Sequence, residues 1–157
     1  MDEERSGDLR GALARAYDML ARRPYTGQEV RQKLLKERFE AETVERVLET
    51  LEQRRFVNDA RLAEDSVQSL AGQRGWGSRK IQHWLRQRGV DEATVEGALQ
   101  GLTPEEEAAH AARLAAAQRM RGKRPEQVYR FLVSRGFRTE AAREAALSAP
   151  DETVGED

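Results

Sequence analysis

The chain carries two histidines, His83 and His110, and no cysteine. Two imidazoles without any thiolate leave a zinc-type centre short of donors. Ser66, Ser69, Ser78, Ser134 and Ser148 lie in no nucleophile-elbow sequence. Glu42, Glu45 and Glu49 share a charged stretch with Arg46, where a solvated helix face accounts for them. The sequence therefore reads as a non-enzyme without cofactor or metal. The chemistry left to it is charge. Residues 73–90, QRGWGSRKIQHWLRQRGV, hold five cations and both tryptophans, and no acid occurs from Ser66 to Val90. A second run, Ala108 to Arg138, sets eight cations against Glu126 alone.

The chain as a whole has 27 Lys+Arg and 28 Asp+Glu, so charge is segregated by region. The last residues reverse the sign with Asp151, Glu152, Glu156 and Asp157. A row of cations is ordinarily a solvated helix face. Acids interrupt such a face in the first third of the chain, at Glu29 and Glu37, but not in the two runs above. The candidate contact residues are Arg74, Trp76, Arg79, Lys80, Arg86 and Arg88 in one run, and Arg121, Lys123, Arg124, Arg130 and Arg135 in the other. Arg79, Lys80, Arg86 and Arg88 are expected outward because Ile81 and Leu85 take the inner stripe. Trp84, beside Leu85, is expected in the core. Trp76 either fastens the entry to its helix or serves as a contact. Gly75 and Gly77 fit a tight helix entry better than a phosphate cradle, since a lone Gly-x-Gly without a preceding strand is a weak signal.

These residues sit on a repeated frame. TGQEVRQKLLKERFEAETVERVL from Thr26, GSRKIQHWLRQRGVDEATVEGAL from Gly77 and RPEQVYRFLVSRGFRTEAAREAA from Arg124 share one template. Val30, Ile81 and Val128 are each followed four later by Leu34, Leu85 and Leu132. Phe39, Val90 and Phe137 come next, the last two directly after Gly89 and Gly136. Val44 with Leu48, Val95 with Leu99, and Ala142 with Ala146 close the units. The i, i+4 spacing is helical, and the glycines suit left-handed helix ends. Upstream stretches add a third helix to each unit: Leu9, Leu13, Ala16 and Leu20; Leu62, Ala63, Val67 and Leu70; and an Ala-rich segment with Leu114 and Met120. Thr26 and Glu29 form a capping box, with Tyr25 and Val30 at the staple positions. Asn58 or Asp59 and Asp91 are further N-caps, and Pro125 fits a first helical turn.

The expected fold is all-α: a tandem array of three three-helix repeats forming an elongated, curved body. Expected boundaries are a tail at 1–8, repeats at 9–57, 58–101 and 102–148, and an acidic tail at 149–157. The absent cysteines fit a reducing cytoplasm. No apolar run reaches the roughly 18 residues of a membrane span, and the acidic start MDEERSGDLR is unlike a signal peptide.

The arrangement helix–RxGxGxxxIxxxLxxxG(I/V)–helix, preceded by D-A-x-(L/F)-A-x-x-x-V, resembles the RecX family of recombination regulators. Asp59, Ala60, Leu62, Ala63 and Val67 carry the first part; Arg74, Gly75, Gly77, Ile81, Leu85, Gly89 and Val90 carry the second. Ala16, Leu20 to Arg23, Tyr25, Thr26, Glu29, Val30, Lys33 and Leu34 are similar to that family's opening. RFLVSRGF matches its close, so the likeness spans about residues 11–148. Gly27 and Val30 stand where members of the family vary. A cytoplasmic monomer is expected, and the resemblance implies that it binds the RecA recombinase filament on DNA. It implies inhibition of ATPase, strand-exchange and co-protease activities, hence control of recombination and the SOS response, with no cofactor. The competing expectation is a helical DNA- or RNA-binding adaptor that acts without a recombinase. A plain protein scaffold is a third.

Overall fold

The computed structural model describes residues 2–148, which form helices and no strand. In order these are α1 (Asp2–Arg22), α2 (Gly27–Lys36), α3 (Ala41–Gln53), α4 (Asp59–Gly72), α5 (Ser78–Gln87), α6 (Glu92–Leu99), α7 (Pro104–Met120), α8 (Pro125–Ser134) and α9 (Thr139–Leu147). The expected all-α class is the one observed. Helix α1 starts at Asp2, within the segment expected as a tail. The acidic segment 149–157 lies outside the described residues.

Contacts gather the chain into two compact units. The first takes the residues up to Asp65 together with Leu85–Gly97; the second takes Ser66–Trp84 together with the residues from Ala98 onward. Each thus joins one terminal trio of helices to part of the middle trio.

In the first unit, α2 begins where Thr26 caps it: the Thr26 hydroxyl accepts from Glu29 N–H at 3.1 Å, and Thr26 N–H donates to Glu29 Oε1 at 2.9 Å. Val30 and Leu34 then fall on one face and are fully buried, as are Val44, Val47 and Leu51 of α3. Helix α1 closes the core with Ala12, Ala16 and Met19, while Leu9, Leu13 and Leu20 are only partly buried. The leucine stripe expected from the sequence is therefore the margin of the contact. Small methyls at its centre let the backbones approach, and the leucines fill the edges.

The second unit has a lighter core. Five of the eight residues in its buried cluster are alanines, on α7 and α9, packed around Val128, Leu132 and Phe137. Met120, the last residue of α7, is 90% exposed. The middle helices bury Leu62, Ala63, Val67 and Leu70 of α4 and Ile81 and Leu85 of α5, as their spacing predicts. Gly89 and Gly136 take left-handed φ values of 82° and 86°, the conformation a glycine adopts most cheaply after a helix.

Candidate functional site

The cationic run of residues 73–90 is held from below. The first N–H groups of a helix have no partner within it and must find one elsewhere. At α5 they are met inside the second unit. Gly77 N–H donates to the Arg135 carbonyl at 2.8 Å, and Arg79 N–H to the Gly136 carbonyl at 2.9 Å. Ser78 donates its N–H and its hydroxyl to Glu107 Oε1 at 3.1 and 2.9 Å. Glu107 is 4% exposed, and its charge lies at the positive end of the helix dipole. A methyl on Gly77 would overlap the backbone of Gly136 and Phe137, so glycine is required there by close approach. Its main chain thus engaged, the start of α5 leaves the Arg79 side chain exposed.

Aromatic rings line the same end. Trp76 and Trp84 meet edge to face at 6.4 Å and 78°. Lys80 Nζ stands 4.3 Å from the Trp76 ring centroid, and the Arg74 guanidinium 6.0 Å from it. Arg135 donates to the Arg74 carbonyl at 3.4 Å and lies 5.1 Å from the Phe131 ring. The fold therefore brings Arg74, Trp76, Lys80 and Arg135 together. Trp84 departs from the expected core position. Ile81 and Leu85 fill the inner stripe completely, and the indole is left half-buried beside Trp76.

Arg121, Lys123 and Arg124 occupy the exposed turn from α7 to α8, shaped by Gly122 at φ 79°. Lys123 N–H returns to the Gln118 carbonyl at 3.1 Å, and Arg124 N–H donates to Gln127 Oε1 at 3.0 Å. Arg130 is exposed on α8, where it borders a cleft of about 440 Å³ with Tyr129, Arg143 and Leu147.

Arg86 and Arg88 belong to the first unit and are engaged by carboxylates. Arg86 Nε donates to Glu92 Oε2 at 2.7 Å. Arg88 turns inward to Glu29 Oε1 at 2.7 Å and the Pro24 carbonyl at 3.2 Å, with its side chain 18% exposed. Arg86 lies outward as expected, though paired, whereas Arg88 departs from the outward placement expected of it. The turn around Gly89 seats on the start of α2, where the Arg88 carbonyl accepts the Thr26 hydroxyl at 2.7 Å, and that carries the guanidinium to Glu29. Burial raises the Glu29 carboxyl's affinity for a proton. The Arg88 hydrogen bond, the Thr26 N–H and the charges of Arg88 and Arg23 outweigh it and hold the pKa below its ordinary value. Asp59 accepts from Gly27 N–H at 2.9 Å, yet burial, aided by Asp91 and Glu29, pushes its carboxyl up.

Sequence reasoning gave no role to Glu107, Arg113 or His110, all on α7. The repeat held a clue to Glu107: it lies near the start of its trio's first helix, as Asp59 does, and both cap the second helix of the preceding trio. Arg113 and His110 stand in a plain Ala-rich segment and carry no such mark. Among the described residues no group of three His, Cys, Asp or Glu is placed to hold a metal ion, and no helix is long and apolar enough to cross a membrane.

Fold and surface define an all-helical protein of repeated three-helix units bearing a clustered cationic and aromatic face. The family description "RecX, first three-helix domain" matches residues 12–51, and "RecX, second three-helix domain" matches 58–99. A protein called regulatory protein RecX in Prosthecochloris aestuarii is 32% identical over 140 residues, covering 87% of this chain and 92% of the relative. One from Chromobacterium violaceum is 30% identical over 149 residues, 92% and 94% of the two chains. A crystal structure of regulatory protein RecX superimposes with a TM-score of 0.77 at 26% identity, over 88% of this chain and 71% of that one. RecX from Lactobacillus salivarius has the same fold, with a TM-score of 0.82 at 20% identity over 89% and 95%. The chain belongs to the RecX family of regulatory proteins.

Proposed function

We propose that this protein regulates the RecA recombinase by binding its filament on DNA, inhibiting ATP hydrolysis, strand exchange and co-protease activity. The observation that carries the reading is family membership along almost the whole chain, since a shared regulatory role requires the shared body. The surface of the second unit supports it. Arg79, Lys80, Arg121, Lys123, Arg124 and Arg130 form no ion pair among the described residues, so their charge is available to an anionic partner. Arg74, Trp76 and Arg135 complete the contact. Arg86 and Arg88 act in this reading as supports of the first unit. Several individually weak contacts on one body add through high effective concentration on a polymeric target. Neither catalysis nor a cofactor enters the mechanism, and the protein acts as a cytoplasmic monomer, three repeats long, by occupying the filament.

The test is DNA-dependent ATP hydrolysis by RecA in the presence of the wild type and of a variant combining Arg79→Glu, Lys80→Glu, Arg124→Glu and Arg130→Glu. Inhibition should fall at least tenfold with helicity unchanged; a variant that inhibits fully would overturn the reading. The grouping of Trp76 with Lys80 and Arg74 favours a second reading, direct nucleic-acid binding without a recombinase, because rings and cations together suit stacked bases and phosphates. Sedimentation with single-stranded DNA, with and without RecA, separates the two.

A further inference from the structure

Below the Trp76 cluster, the second unit holds a pocket of about 270 Å³ between the end of α4, the turn at Gly75 and the middle of α7. Its walls include Arg74, Gly75, His110, Arg113, Leu114 and Arg135. No acidic side chain lines it, and none of the three arginines forms an ion pair among the described residues. His110 adds a buried Nδ1 that has no hydrogen-bond partner among the described residues. Buried polar atoms nearly always have one, so such an atom calls for an explanation. The turn is held close to α7: a methyl on Gly75 would lie 3.3 Å from the Leu114 side chain. Three arginines, two of them exposed, and a histidine thus line one small space.

We propose that this pocket binds a phosphate group, either the phosphodiester of a nucleic-acid strand or the phosphate of a free nucleotide. A carboxylate has two oxygens and one charge, and a single guanidinium fork satisfies it. Phosphate oxygens accept from several forks at once, which is the use to which clustered arginines are suited. The volume lies below the roughly 300 Å³ at which pockets for whole small molecules begin, a size for one charged group and part of its sugar. The inference rests on the reading of this surface as facing a polyanion and deepens it by adding Arg113 and His110.

The test uses the full chain and three probes: inorganic phosphate, thymidine monophosphate and a short oligothymidylate. The His110 ring resonances should shift with phosphate in the wild type and stay still in Arg113→Gln. Oligothymidylate binding should weaken in Arg113→Gln, with the slope of log K against log salt smaller by roughly 0.7, one phosphate contact on a single strand. Arg46→Gln, on α3, should keep the wild-type slope. Competition by the mononucleotide assigns the site to free nucleotides, whereas shifts caused by the oligonucleotide and phosphate alone assign it to the strand; either supports the proposal. It is overturned if no probe moves the His110 ring, if Arg113→Gln and His110→Ala both keep the wild-type slope, or if a polyglutamate peptide binds the pocket more tightly than phosphate. Filament inhibition by the wild type with an unresponsive His110 ring would sink the pocket and leave the proposed function standing. Phosphate binding without inhibition would do the reverse.

Discussion

The starts of α2 and α5 solve one problem by two chemistries. Each is the second helix of its trio, and each has its first N–H groups closed off by the turn and carboxylate of the following trio. At α2 the closure runs through side chains: the Thr26 hydroxyl to the Arg88 carbonyl, Asp59 to Gly27 N–H, and Arg88 to Glu29. At α5 it runs largely through backbone, from Gly77 and Arg79 to the turn at Arg135 and Gly136, with Glu107 on Ser78. The difference decides where cations go. A side-chain closure consumes a guanidinium, and Arg88 is drawn in. A backbone closure needs none, so the side chains of Arg79, Lys80 and Arg135 remain for other work. It also needs glycine, because the two main chains must touch.

The sharpest way to break this contrast is therefore a methyl at each closure. Gly77→Ala should destabilise the second unit by about 3 kcal/mol, since backbone meets backbone and cannot retreat. Gly89→Ala should cost about 2 kcal/mol or more, because the obstruction is the root of the Gln28 side chain, which moves only with the α2 backbone, and the φ of 82° adds strain. Urea unfolding followed by circular dichroism gives both values, and the two tryptophans, Trp76 and Trp84, report the second unit separately. A cost well below 1 kcal/mol at either position would show that the closure there is loose.

Acid sharpens the comparison further, because the ionisable pairs that set α2 apart have opposite signs. Glu29 has a folded pKa below its ordinary 4.5, so its contribution is present above that value and is lost as pH falls through the folded one. Glu29→Gln should cost about 1 kcal/mol at neutral pH, and the gap to wild type should close under acid. Asp59 has a folded pKa above its ordinary 3.8, so its contribution is fully present below that and is lost as pH rises through the folded value. Asp59→Asn keeps an acceptor for Gly27 N–H, and its stability relative to wild type should improve as pH rises. Melting curves from pH 3 to pH 7 check both slopes. The smallest effect is expected at Arg86, whose pair with Glu92 is solvent-exposed: Arg86→Ala should leave the melting temperature nearly unchanged.

Much of the frame was legible because its causes are local. The Thr26–Glu29 box, Pro125 at a first turn, the glycines at 89 and 136, and the stripes Val30–Leu34, Ile81–Leu85 and Val128–Leu132 all act within a few residues of themselves. The candidate site was legible only as a region. That Arg135 would join Arg74, Trp76 and Lys80 depends on backbone hydrogen bonds between residues far apart in the chain. Trp84 was misplaced because helical spacing alone does not say how wide the buried stripe is.

The amino-acid order by itself settles where helices start and stop and which side chains compete for the inside, since propensity, capping and period are short-range. Whether Arg88 and Arg79 are spent or left was decided by tertiary structure. A guanidinium pairs with the carboxylate that folding brings within about 3 Å, and Coulomb attraction at that range overrides the sequence neighbourhood. Arg88 found Glu29 in this way, while Arg79, in an equally acid-free stretch, met only a carbonyl with its backbone.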